Sequence, residues 1–167
     1  MRILLLAFLI LEAGCASVST SASSSDSQTL GPPADDVSSP AFQKALKAEP
    51  GSRALEQVRI ESLLERVSHS PYNFIRNKER YQGKRAEAHF RWKHLRNLMK
   101  IKTAEDFIKY VATQSKMSGE PYQVEFPGGK RYPLAPILYS ELKGFDERVA
   151  KDRKRLAEAA QKEKAAA

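Results

Sequence analysis

Residues 84–100 read KRAEAHFRWKHLRNLMK. The apolar residues of this stretch recur every three or four positions, which predicts a helix from about Lys84 to Lys100. At 100° per residue, four of them fall within about 60° of one another around the helix axis. We expect these four to form the stripe that packs against the rest of the protein: Ala88, Trp92, Leu95 and Met99.

The basic residues of this helix form a second stripe, one position further along the chain. They are His89, Lys93, Arg96 and Lys100. Ten bases and two acids lie between Arg76 and Lys102. A surface of this sign attracts phosphate, carboxylate or an anionic membrane, most strongly at low salt. The stripe has two interpretations: a solvated helix face that keeps the protein soluble, or an anion-binding site.

The segments before this helix predict another helix and a hairpin. Residues 52–68 carry apolar residues at the i, i+3, i+4 and i+7 spacing of one helical face: Ile60, Leu63, Leu64 and Val67. Pro71 ends that helix. Two short runs follow, Asn73 to Arg76 and Glu79 to Tyr81, and we expect them to pair as strands around a tight turn at Asn77 and Lys78.

The segments after it predict a helix, a second hairpin and a last helix. Thr103 and Asp106 form a capping box, so a helix is expected from Ala104 to about Ser115. Tyr122 to Phe126 alternates apolar and polar residues as a strand does. Residues 130–132 can pair with that strand across a Pro-Gly-Gly turn. A final helical stripe consists of Leu134, Ile137, Leu138 and Leu142.

These elements predict the α+β class, as one small domain of three or four helices packed with short β-hairpins over residues 52–145. Residues 146–167 alternate charges and alanines, with opposite charges four residues apart, and we expect a charged, exposed helical tail. The 18 bases and 10 acids of residues 52–145 account for the whole net charge of +8. The positive charge therefore belongs to the domain.

The N-terminal residues predict export. Met1 and Arg2 precede nine apolar residues, and small residues lead to Cys15, the only cysteine of the chain. Nine apolar residues are fewer than the roughly 20 that span a bilayer, but they suit the hydrophobic region of a signal peptide. Residues 1–14 resemble a bacterial lipoprotein signal, in which Cys15 is lipidated and anchors the protein to a membrane.

Processing of this N-terminus has alternatives. Glu12 stands where lipoprotein signals usually have an aliphatic residue, so ordinary cleavage near Ala16 or Ser17, or an unprocessed chain, remain open. Residues 15–51, rich in Ser and Thr up to Pro40, are expected to form a flexible tether. Ala16 after the cysteine resembles the outer-membrane type, so we expect the protein in the cell envelope, on the outer membrane facing the periplasm.

The composition argues against several kinds of site. A single cysteine excludes an intramolecular disulfide, and no zinc site with the usual Cys and His spacing is present. His89 and His94 lie about 140° apart around their helix, and no glycine-rich phosphate loop or carboxylate pair has motif spacing. We therefore expect no cofactor, no metal site and no recognisable catalytic residues.

Four short motifs run through the predicted domain: FIRN at 74–77, AxxHxRxK at 86–93, IxTAExFI at 101–108 and SGxPY at 118–122. As an ordered set they resemble a family of small exported bacterial proteins catalogued as a domain of unknown function. The resemblance covers about residues 52–145 and implies export, one small α+β domain and no assigned activity. Lys78 departs from the pattern, because members often have Asn-Gly in that turn. The polar members here are Arg76, His89, Arg91 and Lys93, which implies either a site or a buried polar network.

The hypothesis that we favour is a membrane-tethered binding or structural module of the cell envelope. Its basic face would hold an anionic partner, such as a lipid headgroup, a cell-wall carboxylate or an acidic protein surface. The candidate anion-binding residues are Arg76, His89, Arg91, Lys93 and Arg96.

Two other classes of function are weighed against it. A hydrolytic or other envelope enzyme with its site around His89 would need a cleft that places Glu105 or Asp106 beside that histidine. A nucleic-acid-binding protein is suggested by the isoelectric point near 9.6. Export separates the protein from most nucleic acid, and the aromatic residues form no evident stacking platform, so no nucleic-acid partner is expected.

Overall fold

The computed structural model describes residues 28–31 and 39–166, which contain five α-helices and four β-strands. The helices are α1 (Pro40–Lys47), α2 (Arg53–His69), α3 (Gly83–Leu95), α4 (Ala104–Phe107) and α5 (Leu134–Ala166). The strands are β1 (Asn73–Arg76), β2 (Glu79–Tyr81), β3 (Gln123–Glu125) and β4 (Arg131–Pro133). A π-helical turn, Ile108–Ala112, continues α4, and a 3-10 turn, Pro127–Gly129, connects β3 to β4. The α+β class that the sequence predicts is confirmed.

The four strands form one antiparallel sheet in the order β2-β1-β3-β4. Both predicted hairpins are present, since Phe74 pairs with Tyr81 in the first and Val124 with Tyr132 in the second. They are joined because β1 also pairs with β3, through Phe74 and Val124. The sequence analysis did not predict this long-range pairing.

The turn of the first hairpin lies at Asn77 and Lys78, as predicted. Both residues have positive φ angles, 51° and 68°. Two-residue hairpin turns favour such left-handed residues, and glycine is usual at the second position. Lys78 adopts this conformation without being glycine. The Ser118 hydroxyl lies 2.7 Å from Asn77 Oδ1, which connects the turn to the loop before β3.

The buried face of α3 differs from the predicted one. Ala88, Trp92, Leu95 and Met99 are all exposed, so the expectation that they pack inward is wrong. The buried residues are Gly83, Ala86, Phe90 and Lys93. Small residues on this face allow α3 to approach α2 closely, because a Cβ atom on Gly83 would lie 2.3 Å from the Val67 carbonyl oxygen. The helix also ends at Leu95 rather than Lys100, and residues 96–100 form turns.

The predicted helix from Ala104 is present but changes type. Its capping box is confirmed, since the Thr103 hydroxyl accepts from the Asp106 amide and the Asp106 carboxylate accepts from the Thr103 amide. After one α-helical turn the chain widens into the π-helical turn, and the Thr113 hydroxyl donates to the Ile108 carbonyl at 2.9 Å. This segment contributes Phe107, Ile108 and Val111 to the core.

The packed part of the chain extends beyond residues 52–145 at both ends. Helix α1 lies within the stretch that the sequence analysis assigns to the tether, yet it packs on α5 through Phe42 and Phe145, whose ring centroids are 6.0 Å apart. The Arg153 guanidinium donates to the Ala45 and Ala48 carbonyl oxygens at the end of α1. The predicted tail is helical, and its first turns are packed rather than fully exposed.

The predictions for the N-terminus fall outside the described residues. These include the signal peptide at 1–14, the lipidated Cys15 and most of the tether at 15–51. Among residues 28–31 and 39–166, no helix has the length and apolar character needed to cross a membrane.

Candidate functional site

A pocket of about 180 Å³ opens between the β1–β2 hairpin and α3. Its floor is apolar, and its polar groups are two arginines, one histidine and two tyrosines, with no carboxylate among them. The lining residues are Phe74, Ile75, Arg76, Tyr81, Arg85, Ala86, His89, Phe90 and Tyr122. The pocket therefore combines positive charge with an apolar interior.

Arg76 lies at the end of β1 and contributes a partly buried cationic group to the pocket. Its Nε atom is buried, and no acceptor within the described residues receives a hydrogen bond from it. A buried donor without an acceptor carries a desolvation cost of about 1–3 kcal/mol, more for a charged group. An anion in the pocket would compensate the charge of this guanidinium, since a carboxylate or phosphate accepts from its terminal N–H groups.

Two other partly buried arginines of the described part of the chain are paired with carboxylates, whereas Arg153, whose buried Nε likewise has no acceptor there, donates to the Ala45 and Ala48 carbonyl oxygens. Arg59 contacts Glu56, Glu105 and Asp146 at 2.6–2.8 Å. Arg66 contacts Glu141 at 2.8 Å. Arg76 thus differs from them, because the pocket around it offers no carboxylate.

Arg85 lies on the first turns of α3, at the rim of the pocket. Its Cζ atom is 5.1 Å from the centroid of the Tyr81 ring, a cation–π contact that does not use the guanidinium N–H groups, and no residue of the described part accepts a hydrogen bond from them. The Tyr81 hydroxyl donates to the Glu79 carboxylate, and this hydrogen bond raises the pKa of Tyr81. Tyr81 is thus held in place at its distal end.

His89 lies one helical turn after Arg85 and points at Tyr122. Its Nε2 atom is 3.1 Å from the Tyr122 hydroxyl oxygen. Burial, followed by the charges of Arg76 and Lys93, lowers the pKa of His89 to about 4. The imidazole is therefore neutral at pH 7, and it offers a ligand one N–H donor rather than a charge.

Lys93 is buried behind the pocket, with 4% of its surface exposed. Its ammonium group donates to the Val111 carbonyl, to the Gln114 carbonyl at 3.1 Å and to the Tyr122 hydroxyl at 3.2 Å. Burial first, and then nearby cations, lower the pKa of Lys93 to about 8. All three N–H donors are used within the protein, so Lys93 contributes charge and order to the site rather than a contact to a ligand.

The hydrogen bonds of Lys93, Tyr122 and His89 have one consistent direction. An ammonium group has no lone pair, so the Tyr122 hydroxyl accepts from Lys93. We assign the hydroxyl proton to the hydrogen bond with Nε2 of the neutral His89, which places the imidazole proton on Nδ1. This chain of donors fixes the ring of His89 at the edge of the pocket.

The structure brings together three of the five candidate residues. Arg76 and His89 line the pocket and Lys93 lies behind it, whereas Arg91 and Arg96 are elsewhere. Arg91 contacts Glu61 at 2.8 Å and Glu87 at 2.6 Å. These contacts raise the pKa of Arg91 and occupy its N–H donors. Arg96 is exposed, with its Cζ atom 4.9 Å from the Trp92 ring.

The sequence analysis did not include Arg85, Tyr81 or Tyr122 in the candidate site. Arg85 carries a usable signal, because it precedes His89 by four residues on the same helix face. Tyr122 is part of the SGxPY motif, but only the tertiary fold brings it to His89. Tyr81 is positioned by the pairing of β2 with β1.

The carboxylates considered for an active site lie away from His89. Glu105 contacts Arg59 at 2.6 Å, and Asp106 accepts from the backbone amides of Lys102 and Thr103. Neither lines the pocket. Within the described residues, no group of three His, Cys, Asp or Glu side chains is arranged to hold a metal ion.

The fold and the pocket define a small α+β domain with a positively charged cleft between a β-hairpin and a helix. Residues 54–146 match the model of the family of unknown function DUF5329, and the chain belongs to that family. The matched range contains every residue that lines the pocket. Comparisons with curated proteins and with solved structures find no match.

Proposed function

We propose that this domain binds a small ligand in which one anionic group is attached to an apolar or aromatic body. The observation that carries the proposal is the guanidinium of Arg76, whose buried Nε donor has no acceptor within the described residues. A carboxylate or phosphate placed between Arg76 and Arg85 would accept from both guanidinium groups. The Nδ1–H donor of His89 adds a directional contact without adding charge.

The apolar floor of the pocket supports the second half of the proposal. Phe74, Ile75 and Phe90 are buried residues whose side chains line it. A cavity of about 150 Å³ in an unrelated protein accommodates benzene, so the pocket of about 180 Å³ has room for a group of that size. A ligand with an apolar body is therefore favoured over a fully hydrated inorganic anion.

We further propose that the domain acts in the cell envelope, held there by acyl chains on Cys15. The supporting residues are the apolar segment 3–11 and the small residues Ala13 and Gly14 directly before Cys15. Ala16 favours the outer membrane, with the domain facing the periplasm. Mass spectrometry of the mature N-terminus tests this proposal: an acylated Cys15 supports it, and a chain that begins at another residue or retains residue 1 contradicts it.

The pocket is tested by calorimetric titration of the protein with acetate, benzoate and inorganic phosphate. Benzoate is expected to bind more tightly than acetate, because its ring occupies the apolar floor. Arg76→Gln is expected to weaken benzoate binding at least about tenfold, since a hydrogen bond between charged groups contributes about 1.5–3 kcal/mol. Arg85→Gln should weaken it less, because Arg85 is at the rim.

Arg96→Gln is the matched control, because it removes an exposed guanidinium from the same helical region outside the pocket. Its affinity for benzoate should equal that of the wild type. Circular dichroism shows whether each variant is folded. Failure of all three anions to bind the wild type, or equal benzoate affinity in Arg76→Gln, would contradict the proposal.

A further inference from the structure

A row of large apolar side chains is exposed at the end of α3 and in the turns that follow. We call it the outer stripe. Its members, with the exposed fraction of each residue, are Trp92 (54%), Leu95 (63%), Leu98 (44%) and Met99 (85%). Single exposed apolar residues are normal on protein surfaces, but several exposed within one short segment favour an interaction surface. These four lie within eight residues and include the only tryptophan of the chain.

The outer stripe is surrounded by positive charge. Residues 88–104 contain five bases and no acid, and three of these bases remain after the buried Lys93 and the ion-paired Arg91 are set aside. Arg96, Lys100 and Lys102 are exposed beside it, and the guanidinium of Arg96 lies over the Trp92 ring. The other large apolar residues that are exposed in the described part are Tyr110 and Met117, before β3, and Tyr139 and Leu156, on α5. The outer stripe thus holds four of the eight large apolar residues that are exposed in the described part, within one short segment.

The geometry points to an anionic lipid bilayer as the partner of the outer stripe. Tryptophan and leucine side chains enter the boundary between headgroups and acyl chains, while lysine and arginine around them contact anionic headgroups. A second copy of this chain fits less well, because a two-fold contact through the stripe would place two cationic rims against each other. This inference does not depend on the ligand of the pocket or on lipidation of Cys15.

Emission of Trp92 tests the inference directly, because no other tryptophan contributes. The whole chain is mixed with vesicles of phosphatidylglycerol or phosphatidylcholine, with and without brominated acyl chains. Residues 3–11 are also apolar, so binding of the whole chain to vesicles does not report on the outer stripe, whereas the depth of Trp92 does. We expect a blue shift and quenching by brominated chains on phosphatidylglycerol, and much less of both on phosphatidylcholine.

Matched variants separate the two components of the surface. Leu95→Ser with Met99→Ser should abolish the blue shift, whereas Leu156→Ser, at a similarly exposed leucine on α5, should leave it unchanged. Arg96→Gln with Lys100→Gln should reduce the preference for phosphatidylglycerol. Arg76→Gln should leave the shift intact, which distinguishes the outer stripe from lipid headgroups bound in the pocket.

Three outcomes would overturn the inference. Emission of Trp92 that is unchanged by phosphatidylglycerol vesicles shows that the stripe does not enter a bilayer. An equal shift on both lipids shows that its charges play no part. A blue shift that grows with protein concentration in the absence of vesicles identifies a second copy of the chain as the partner.

Discussion

The Nζ atom of Lys93 lies 3.2 Å from the hydroxyl oxygen of Tyr122 and also donates to two backbone carbonyl oxygens. These contacts connect α3 to the π-helical turn and to the start of β3. Lys93, which the sequence analysis assigned to an anion-binding surface, thus connects these elements by hydrogen bonds inside the protein. Its positive charge is retained in the interior because each of its donors has an acceptor.

Replacing Lys93 with methionine should destabilise the protein by about 2 kcal/mol. The carbonyl oxygens of Val111 and Gln114, which are shielded from water, would each lose their hydrogen-bond donor. Urea unfolding followed by circular dichroism measures the change. Lys102→Met, at an exposed position, should remain within about 0.5 kcal/mol of the wild type. Equal stability of the two variants would show that the hydrogen bonds of Lys93 contribute nothing to the free energy of unfolding.

His89 should remain neutral until the pH approaches 4. Its folded pKa is about 4 against an ordinary 6.5, so between these values the unfolded chain binds a proton that the folded protein does not. The free energy of unfolding therefore falls as the pH is lowered from 6.5 to 4, and His89→Gln should show a smaller fall. Nuclear magnetic resonance of the His89 ring protons gives its pKa directly. Titration near 6.5 would contradict the burial and the cationic surroundings of this ring.

Replacing Gly83 with alanine should destabilise the protein, whereas replacing Gly144 with alanine should stabilise it. At Gly83 the added Cβ would lie 2.3 Å from the Val67 carbonyl oxygen, so α3 and α2 must separate at a cost of about 1–3 kcal/mol. At Gly144, inside α5, the nearest atom is the end of the Arg148 side chain at 3.5 Å, and alanine should stabilise the helix by about 0.5–1 kcal/mol. Thermal unfolding of both variants compares them. A stabilised Gly83→Ala protein would mean that the two helices are not in close contact.

Lys78→Gly should stabilise the β1–β2 hairpin by about 1 kcal/mol, because Lys78 has a φ of 68°, which costs a residue with a Cβ atom about that much. Lys130→Gly is the control, since Lys130 has an ordinary φ of −68° and glycine there gains nothing. The unfolding midpoint in urea reports the difference. A lower midpoint for Lys78→Gly would indicate that the lysine side chain itself stabilises the turn.

Local patterns in the sequence predict the elements of this fold well. The two short runs on either side of Asn77 and Lys78 predict the first hairpin, and the spacing of Thr103 and Asp106 predicts the start of α4. Both signals act over a few residues, where backbone conformation and side-chain capping decide the outcome. The pairing of β1 with β3 depends instead on tertiary packing, which short-range patterns do not encode.

The orientation of α3 shows why helical periodicity alone misplaced the candidate site. Its sequence has two faces that could pack, one with Trp92 and Leu95 and one with Phe90 and Lys93. The size of the apolar side chains favours the first, but Gly83 on the second face allows the close contact with α2. Burial of Lys93 further requires a carbonyl acceptor from the π-helical turn. No pattern in residues 84–100 predicts that acceptor.

The π-helical turn at Ile108–Ala112 accommodates one residue more than an α-helical turn of the same rise. Deleting a single residue here would restore ordinary winding and rotate the following positions by about 100°, carrying the Val111 oxygen away from Lys93. The length of this segment is therefore constrained more tightly than its composition. In relatives that share this lysine, insertions and deletions should be excluded from the interval between the capping box and Tyr122, even where the side chains vary freely.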